Sequence, residues 1–276
     1  MSAYEPVSLS EVQACLERSG YLLESRLVQA LTKAEFFVEP NVAHKDPRTG
    51  KARELDLVAE DANGYFHHRA VVKTTFVIEA INNRYPVILL TERPSTPNSD
   101  FENYIKFAWT PEKCESFFNK FYVYDEKRAD WDNLFSQYCS MTKKNGRDEF
   151  MAHHPDDLYS SLLKLAEYTE AELFQFLSWT RTEEGQYWRI FFWRPILVIG
   201  GQLMLGTTAD NGDINLREAN IGRLEFNWHD GEDRKTTVVE FIQEKYLLDH
   251  IELIRAQDND IGRRLSEFRD IMQPEP

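Results

Sequence analysis

The sequence predicts an α/β protein, with helices opening and closing the chain and strands dominating two stretches between them. Three observations lead there. Ser8 and Glu11 have the spacing of a capping box in front of the first helical pattern. Val71 to Ala80 is a strongly apolar, β-branched run, as a buried strand requires. From Leu247 onward, apolar residues recur at steps that alternate between four and three, as on one face of a long helix.

Taken in order, the first helix begins at Ser8 and ends at Ser19-Gly20, because glycine is the usual residue just past a helix end. A second helix runs from about Tyr21 to Lys33. Phe36-Phe37-Val38 reads as a strand, and the loop from His44 to Gly50, with Pro47 and Gly50, has turn chemistry. Glu54 to Val58 is the returning strand, with Leu55 and Leu57 on one face and Asp56 on the other. Asp61-Ala-Asn-Gly64 is a turn, Val71 to Ala80 the buried strand, and Val87 to Leu90 another.

From Pro94 the pattern changes, and residues 111–122, 130–141 and 155–180 read as helices. The last of these has Pro155-Asp156-Asp157 as its start, ahead of Leu158, Leu162, Leu165 and Ala166. Strands return at Tyr187–Trp193, Ile196–Ile199, Leu203–Leu205, Gly222–Asn227 and Lys235–Phe241. Asp230-Gly231 marks a hairpin between the last two, with a loop expected to exceed two residues. A long helix from about Gln243 closes the chain. Its stripe of Leu247, Ile251, Ile254, Ile261, Leu265 and Phe268 is interrupted by Asp258. Such a stripe reads either as the buried face of the helix on its own domain or as a coiled-coil seam, with the former the commoner case.

Composition narrows the class. The 276 residues are 42% hydrophobic, 28% charged and 13% aromatic, enough to fill a sizeable core. No apolar run reaches the roughly 20 residues of a membrane-spanning helix, and Met1-Ser-Ala-Tyr-Glu-Pro lacks a basic region followed by an apolar core. Cys15, Cys114 and Cys139 are widely spaced, without metal-ligand spacing, as expected of reduced thiols in a cytoplasmic protein. The net charge of −14 counts against broad, nonspecific DNA binding, since a phosphate-binding surface needs local lysine and arginine.

Three acids stand in apolar settings. Glu24 shares a helix side with Leu27, Val28 and Leu31, Asp56 lies between leucines, and Glu79 ends the most hydrophobic strand. A carboxylate among apolar neighbours is costly unless paired, hydrogen-bonded or bound to a metal. Singly, each has an ordinary explanation: Glu24 reaching water from a helix boundary, Asp56 on a half-exposed strand, Glu79 paired with Arg84.

Their order along the chain is more informative. A helix bearing Glu24 is followed by a hairpin whose second strand bears Asp56. A long buried strand then ends in Glu79, before Pro86 and another strand. This arrangement over residues 10–90 resembles the PD-(D/E)xK nuclease superfamily, most closely in Phe76-Val-Ile-Glu79-Ala-Ile-Asn-Asn-Arg-Tyr-Pro-Val-Ile-Leu-Leu90. The resemblance implies a restriction-endonuclease-like core, a central mixed sheet flanked by helices, over residues 1–95. A helical segment at 96–182 and a β-rich extension with its closing helix at 183–276 would be packed with that core. It implies that Glu24, Asp56 and Glu79 are catalytic residues that bind Mg2+ or Mn2+, with DNA as the substrate. Carboxylate oxygens suit such an ion, which lowers the pKa of a bound water and neutralises phosphate.

One residue departs from the pattern. The lysine expected two positions after Glu79 is replaced by Ile81, which offers no charge and no hydrogen bond. Lys73 shares the strand face of Glu79 but lies roughly 20 Å away along it. Arg84, in the following turn, cannot act as a base. The alternative function is therefore a catalytically silent member that binds protein or nucleic acid, the C-terminal helix being its surface for a partner or a second copy.

Other signals are weaker. His67-His68 and His153-His154 are adjacent pairs whose side chains diverge, so neither chelates one ion naturally. Gly200-Gly201 lacks the phosphate-loop pattern and reads as a tight turn. The aromatic run from Tyr187 to Trp193, beside Arg189 and Arg194, offers stacking surfaces but is more often core.

Overall fold

The computed structural model describes residues 6–45, 50–65, 70–94, 106–110, 133–143, 149–180 and 188–272. Helix α1 spans Leu9–Ser19 and α2 Tyr21–Lys33. The expected capping box closes α1: the Ser8 hydroxyl accepts from the Glu11 amide at 3.3 Å, and Glu11 Oε2 accepts from the Ser8 amide at 3.0 Å. Gly20 separates the two helices in the left-handed region, at φ 88°, which glycine enters without a steric penalty.

Strands follow as β1 (Phe37–Lys45), β2 (Ala52–Tyr65), β3 (Ala70–Ile81), β4 (Val87–Pro94), β5 (Lys106–Thr110), β6 (Asn133–Lys143) and β7 (Phe150–His153). After α3 (Asp156–Thr180) come β8 (Trp188–Ile199), β9 (Leu203–Thr208), β10 (Ile214–Glu218), β11 (Ile221–Asp230) and β12 (Asp233–Gln243). A 3-10 turn at Glu244–Tyr246 leads into α4 (Leu247–Met272). One mixed sheet carries the order β1-β2-β3-β8-β12-β11-β6-β4-β9-β10, with β5 also on β8 and β7 also on β6.

The α/β class and the sheet flanked by helices are as the sequence predicts. Asp61–Gly64, expected as a turn, is strand within β2 and pairs with Thr74 to Val71 of β3, and Leu55 and Leu57, expected on one face, lie in the cores of opposite faces. Three larger expectations are also corrected. Residues 133–143, expected within a helix at 130–141, are strand β6, antiparallel to β4 through pairs such as Val87 with Ser140 and Leu89 with Tyr138. Leu134, Phe135 and Tyr138 are buried there, and the sheet overrides a weak local helical preference. The middle segment is thus not all helical, holding β5, β6 and β7 as well as α3; the helix expected at 111–122 lies outside the described residues. The hairpin at Asp230-Gly231 is a two-residue loop after all: Asp230 pairs with Asp233, and Gly231 takes φ 63°.

The third correction concerns the C-terminal strands, expected to extend or flank the sheet. β8, β12 and β11 lie at its centre, while β9 and β10 do extend its far edge. β8 runs parallel to β3 along its whole length, from Ala70 opposite Trp188 to Ile81 opposite Ile199, and β12 runs parallel to β8. β3 and β8 then turn together, at 82–86 and 200–202, and continue as β4 and β9, again parallel. The Gly200 amide donates to the Ile81 carbonyl at 2.9 Å across these two turns. Gly200-Gly201 is the tight turn the sequence indicates, and Gly201 permits its closeness, since a Cβ there would lie 2.5 Å from the Asn83 carbonyl oxygen. Gly201→Ala is expected to destabilise the protein by roughly 1–3 kcal/mol, as overpacking against backbone does, read from a urea midpoint.

The two faces carry separate cores. On one, α3 buries Leu158, Leu162, Leu165 and Ala166 against Val58, Val77, Trp193 and Leu197. On the other, α2 and α4 bury Leu23, Leu27, Leu31, Leu247, Ile251 and Ile254 against Leu57, Phe76, Ile78 and Ile196. The apolar stripe of α4 therefore faces its own sheet as far as Ile254; the side chains of Ile261, Leu265 and Phe268 lie outside the described set. Phe192 and Trp193 of the aromatic run are core. Among the described residues no helix is long and apolar enough to cross a membrane.

Candidate functional site

Asp56 on β2 and Glu79 on β3 meet because these strands are adjacent and antiparallel, one position beyond the Leu57–Ile78 pair. Each carboxylate accepts a hydrogen bond from the other residue's strand. The Asp56 amide donates to Glu79 Oε1 at 3.2 Å, and the Ala80 amide donates to Asp56 Oδ2 at 2.7 Å. These bonds hold the two acids side by side on the sheet face that α3 covers. Glu79 is 1% exposed and Asp56 is half-buried.

The cation at this pair comes from α3. Lys164 places its Nζ 2.6 Å from Glu79 Oε2 and also donates to the Glu54 carbonyl at 3.1 Å. One helical turn earlier, Ser161 also favours the charged form of the same Glu79 carboxyl group. Residues three apart lie on one helix face, so one face of α3 brings both groups to one carboxylate.

The electrostatics record the crowding. Burial, then the neighbouring Asp56, push the Glu79 carboxyl up to about 7, while Lys164 and Ser161 pull it down. Asp56 is raised, mainly by burial and also by Glu54, against the opposing Ala80 amide and Lys164. Glu24, in the first turn of α2, is raised by partial burial and by the charges of Asp56 and Glu54, with Lys164 opposing. All three acids read from the sequence therefore belong to one electrostatic neighbourhood, with Asp56 and Glu79 in direct hydrogen-bonded contact with each other's strands. The ordinary pairing considered for Glu79 is corrected: its partner is Lys164, and the Arg84 guanidinium stacks over the Tyr85 ring. Lys73 pairs with Glu60 at 2.5 Å, in keeping with its distance along the strand.

Ile81, at the position where the family resemblance expects lysine, is buried in the core beneath α3. Sequence reading missed Lys164, Ser161 and Glu54. The signal for Lys164 was a single cation inside Leu162-Leu-Lys-Leu-Ala166, but its target lies 85 positions earlier in the chain and only the packing of α3 supplies it.

The donor set suits an oxygen-seeking divalent cation. Among the described residues no group of three or more His, Cys, Asp or Glu side chains converges as a ready-made metal cage. Mg2+, however, is usually held by one or two carboxylates, with water and phosphate completing its shell. Asp56 and Glu79 supply two, and their mutual repulsion is what a bound dication would relieve. The chemistry of these two carboxylates would suit such an ion, and Glu24 feels the charge of Asp56.

Of the discounted signals, His153 and His154 are exposed, with His154 against the Tyr138 ring, and His67-His68 lie outside the described residues. No family model, no curated protein and no solved structure matches the chain.

Proposed function

We propose that this chain is a divergent metal-dependent nuclease, hydrolysing phosphodiester bonds at Asp56 and Glu79 with Lys164 in the role that Ile81 cannot fill. The observation that carries the reading is the ion pair from Lys164 to Glu79, which completes an acid–acid–lysine arrangement from a different element of the chain. It supports a restriction-endonuclease-like reading of β2 and β3, in which the lysine has moved from strand to helix.

In this reading Asp56 and Glu79 would hold Mg2+ or Mn2+, with Glu24 adding negative charge nearby. A bound ion would supply Lewis-acid stabilisation of the phosphate and a more acidic water. The chain's own residues do the rest. The Asp56 and Ala80 amides fix the carboxylates, and Ser161 favours the charged form of Glu79. Lys164, 18% exposed at its side chain, is near enough to the surface to meet a phosphate oxygen and to position the attacking water.

The test is cleavage of DNA and RNA with Mg2+ or Mn2+ by the wild type, Asp56→Asn, Glu79→Gln and Lys164→Met. Loss of about 10²-fold or more in each variant is expected, the scale of removing a positioned proton-transfer or charge-stabilising group. Wild-type protein without metal-dependent cleavage would overturn the reading. The net charge of −14 would then favour the alternative, a catalytically silent binding module.

A further inference from the structure

We infer that the Lys164 ammonium is a built-in stand-in for the divalent cation, closing the Asp56–Glu79 pair in the metal-free protein and leaving Glu79 when the ion and a phosphodiester arrive. This rests on the functional reading above and adds to it a coupling between metal and substrate.

The geometry supports it on three counts. Glu79 is 1% exposed and both its oxygens are engaged, Oε1 by the Asp56 amide and Oε2 by Lys164 at 2.6 Å. An ion seated on the carboxylate pair would need an oxygen at about 2.0–2.1 Å, and Oε2 is the one held by a side chain rather than by backbone. Second, besides Glu79, Lys164 donates only to the Glu54 carbonyl at 3.1 Å among the described residues and acts on Asp56 and Glu24 through charge alone, an attraction that a bound dication would replace. Third, its long stem ends near the surface while Glu79 lies beneath it, so the ammonium can swing outward without α3 moving.

An ammonium and a dication on one carboxylate oxygen would lie about 4 Å apart, where even water's dielectric leaves repulsion equivalent to about thirtyfold in binding. A substrate phosphate offers the ammonium a new partner and removes that repulsion. Metal and phosphodiester should therefore strengthen each other's binding, by the same factor in each direction. A lysine whose role was to orient the acids for metal would have the opposite signature, because removing it would weaken metal binding.

The experiment is calorimetric titration of Mn2+, without nucleic acid and at pH 8, into the full chain as wild type, Lys164→Met and Lys164→Arg. Lys164→Met is expected to bind Mn2+ roughly tenfold or more tightly than wild type, from the repulsion just described, and Lys164→Arg about as wild type does. Unchanged or weaker binding in Lys164→Met overturns the inference, and if the wild type still cleaves with metal the functional reading survives it. No Mn2+ binding to either protein overturns the inference, and the functional reading falls with it only if the wild type also fails to cleave nucleic acid with metal. Thermal melts confirm that each variant is folded, and Lys164→Gln replaces Lys164→Met if the latter is not. Repeating the titration with a phosphorothioate-blocked dinucleotide checks the coupling. It should tighten Mn2+ binding more in wild type than in Lys164→Met, and equal tightening overturns the coupling.

Discussion

Replacing Asp258 by alanine is expected to destabilise the protein by about 3–5 kcal/mol, the cost of removing one partner from a buried ion pair. Asp258 is fully buried on α4 and faces Arg194 of β8, itself 6% exposed. The Arg194 Nε donates to Asp258 Oδ2 at 3.1 Å, its Nη2 pairs with Oδ1, and the buried Thr74 hydroxyl donates to Oδ2 at 3.2 Å. Alanine leaves the guanidinium in the interface without its carboxylate. Urea denaturation of the wild type and Asp258→Ala would measure the loss, and a change below about 1 kcal/mol, the scale of an exposed pair, would mean that the pair does not hold α4 to the sheet. The double variant Arg194→Met/Asp258→Leu should recover much of it, since a buried ion pair is often replaceable by apolar side chains of similar volume.

The metal-free protein is also expected to lose stability as the pH rises from about 4.5 to 7. Glu79 is raised from 4.5 to about 7 in the folded protein. Between those values the folded state holds a proton that the unfolded chain has released, so unfolding becomes easier with rising pH. The contribution is fully present below the unfolded value and is lost as the pH passes through the folded one. At 1.36 kcal/mol per pKa unit, the ceiling is about 3 kcal/mol. Glu79→Gln cannot titrate, so its urea midpoint should change less over this window than the wild type's. Parallel curves for the two proteins would show that Lys164 neutralises Glu79 fully. On the proposed reading, saturating Mn2+ should restore wild-type stability at pH 7 and above, because an ion bound by the folded state alone would stabilise it.

Glu240 has the opposite sign. Burial raises it, but His250 and Arg223, with Arg194 further off, outweigh burial and hold the carboxyl below its usual range. Its contribution is present above the ordinary carboxylate value and is lost as the pH falls below it. Glu240→Gln should therefore be less stable than the wild type at neutral pH, with the gap closing in acid, as differential scanning calorimetry from pH 3 to 7 would record.

What the sequence alone determined is local. The capping box and Gly20 set α1 and α2, the β-branched run set β3, and the helix start at Pro155 set α3, because capping, turn chemistry and periodicity act within a few residues. The same reasoning found Glu24, Asp56 and Glu79, since a carboxylate in an apolar run shows itself in its immediate neighbours. What only the tertiary structure decided depends on partners far along the chain. Residues 133–143 became a strand because β4 and β11 were there to pair with them, and β8 took the centre of the sheet because β3 offered it a parallel edge. Asp258, which broke the apolar stripe of α4, and Arg194, which stood out in an aromatic strand, explain each other only when the helix lies on the sheet. Lys164 likewise reads as an unremarked cation on a helix until α3 packs over β2 and β3. Ion pairs act through distance in space, and the chain order of their members carries no record of it.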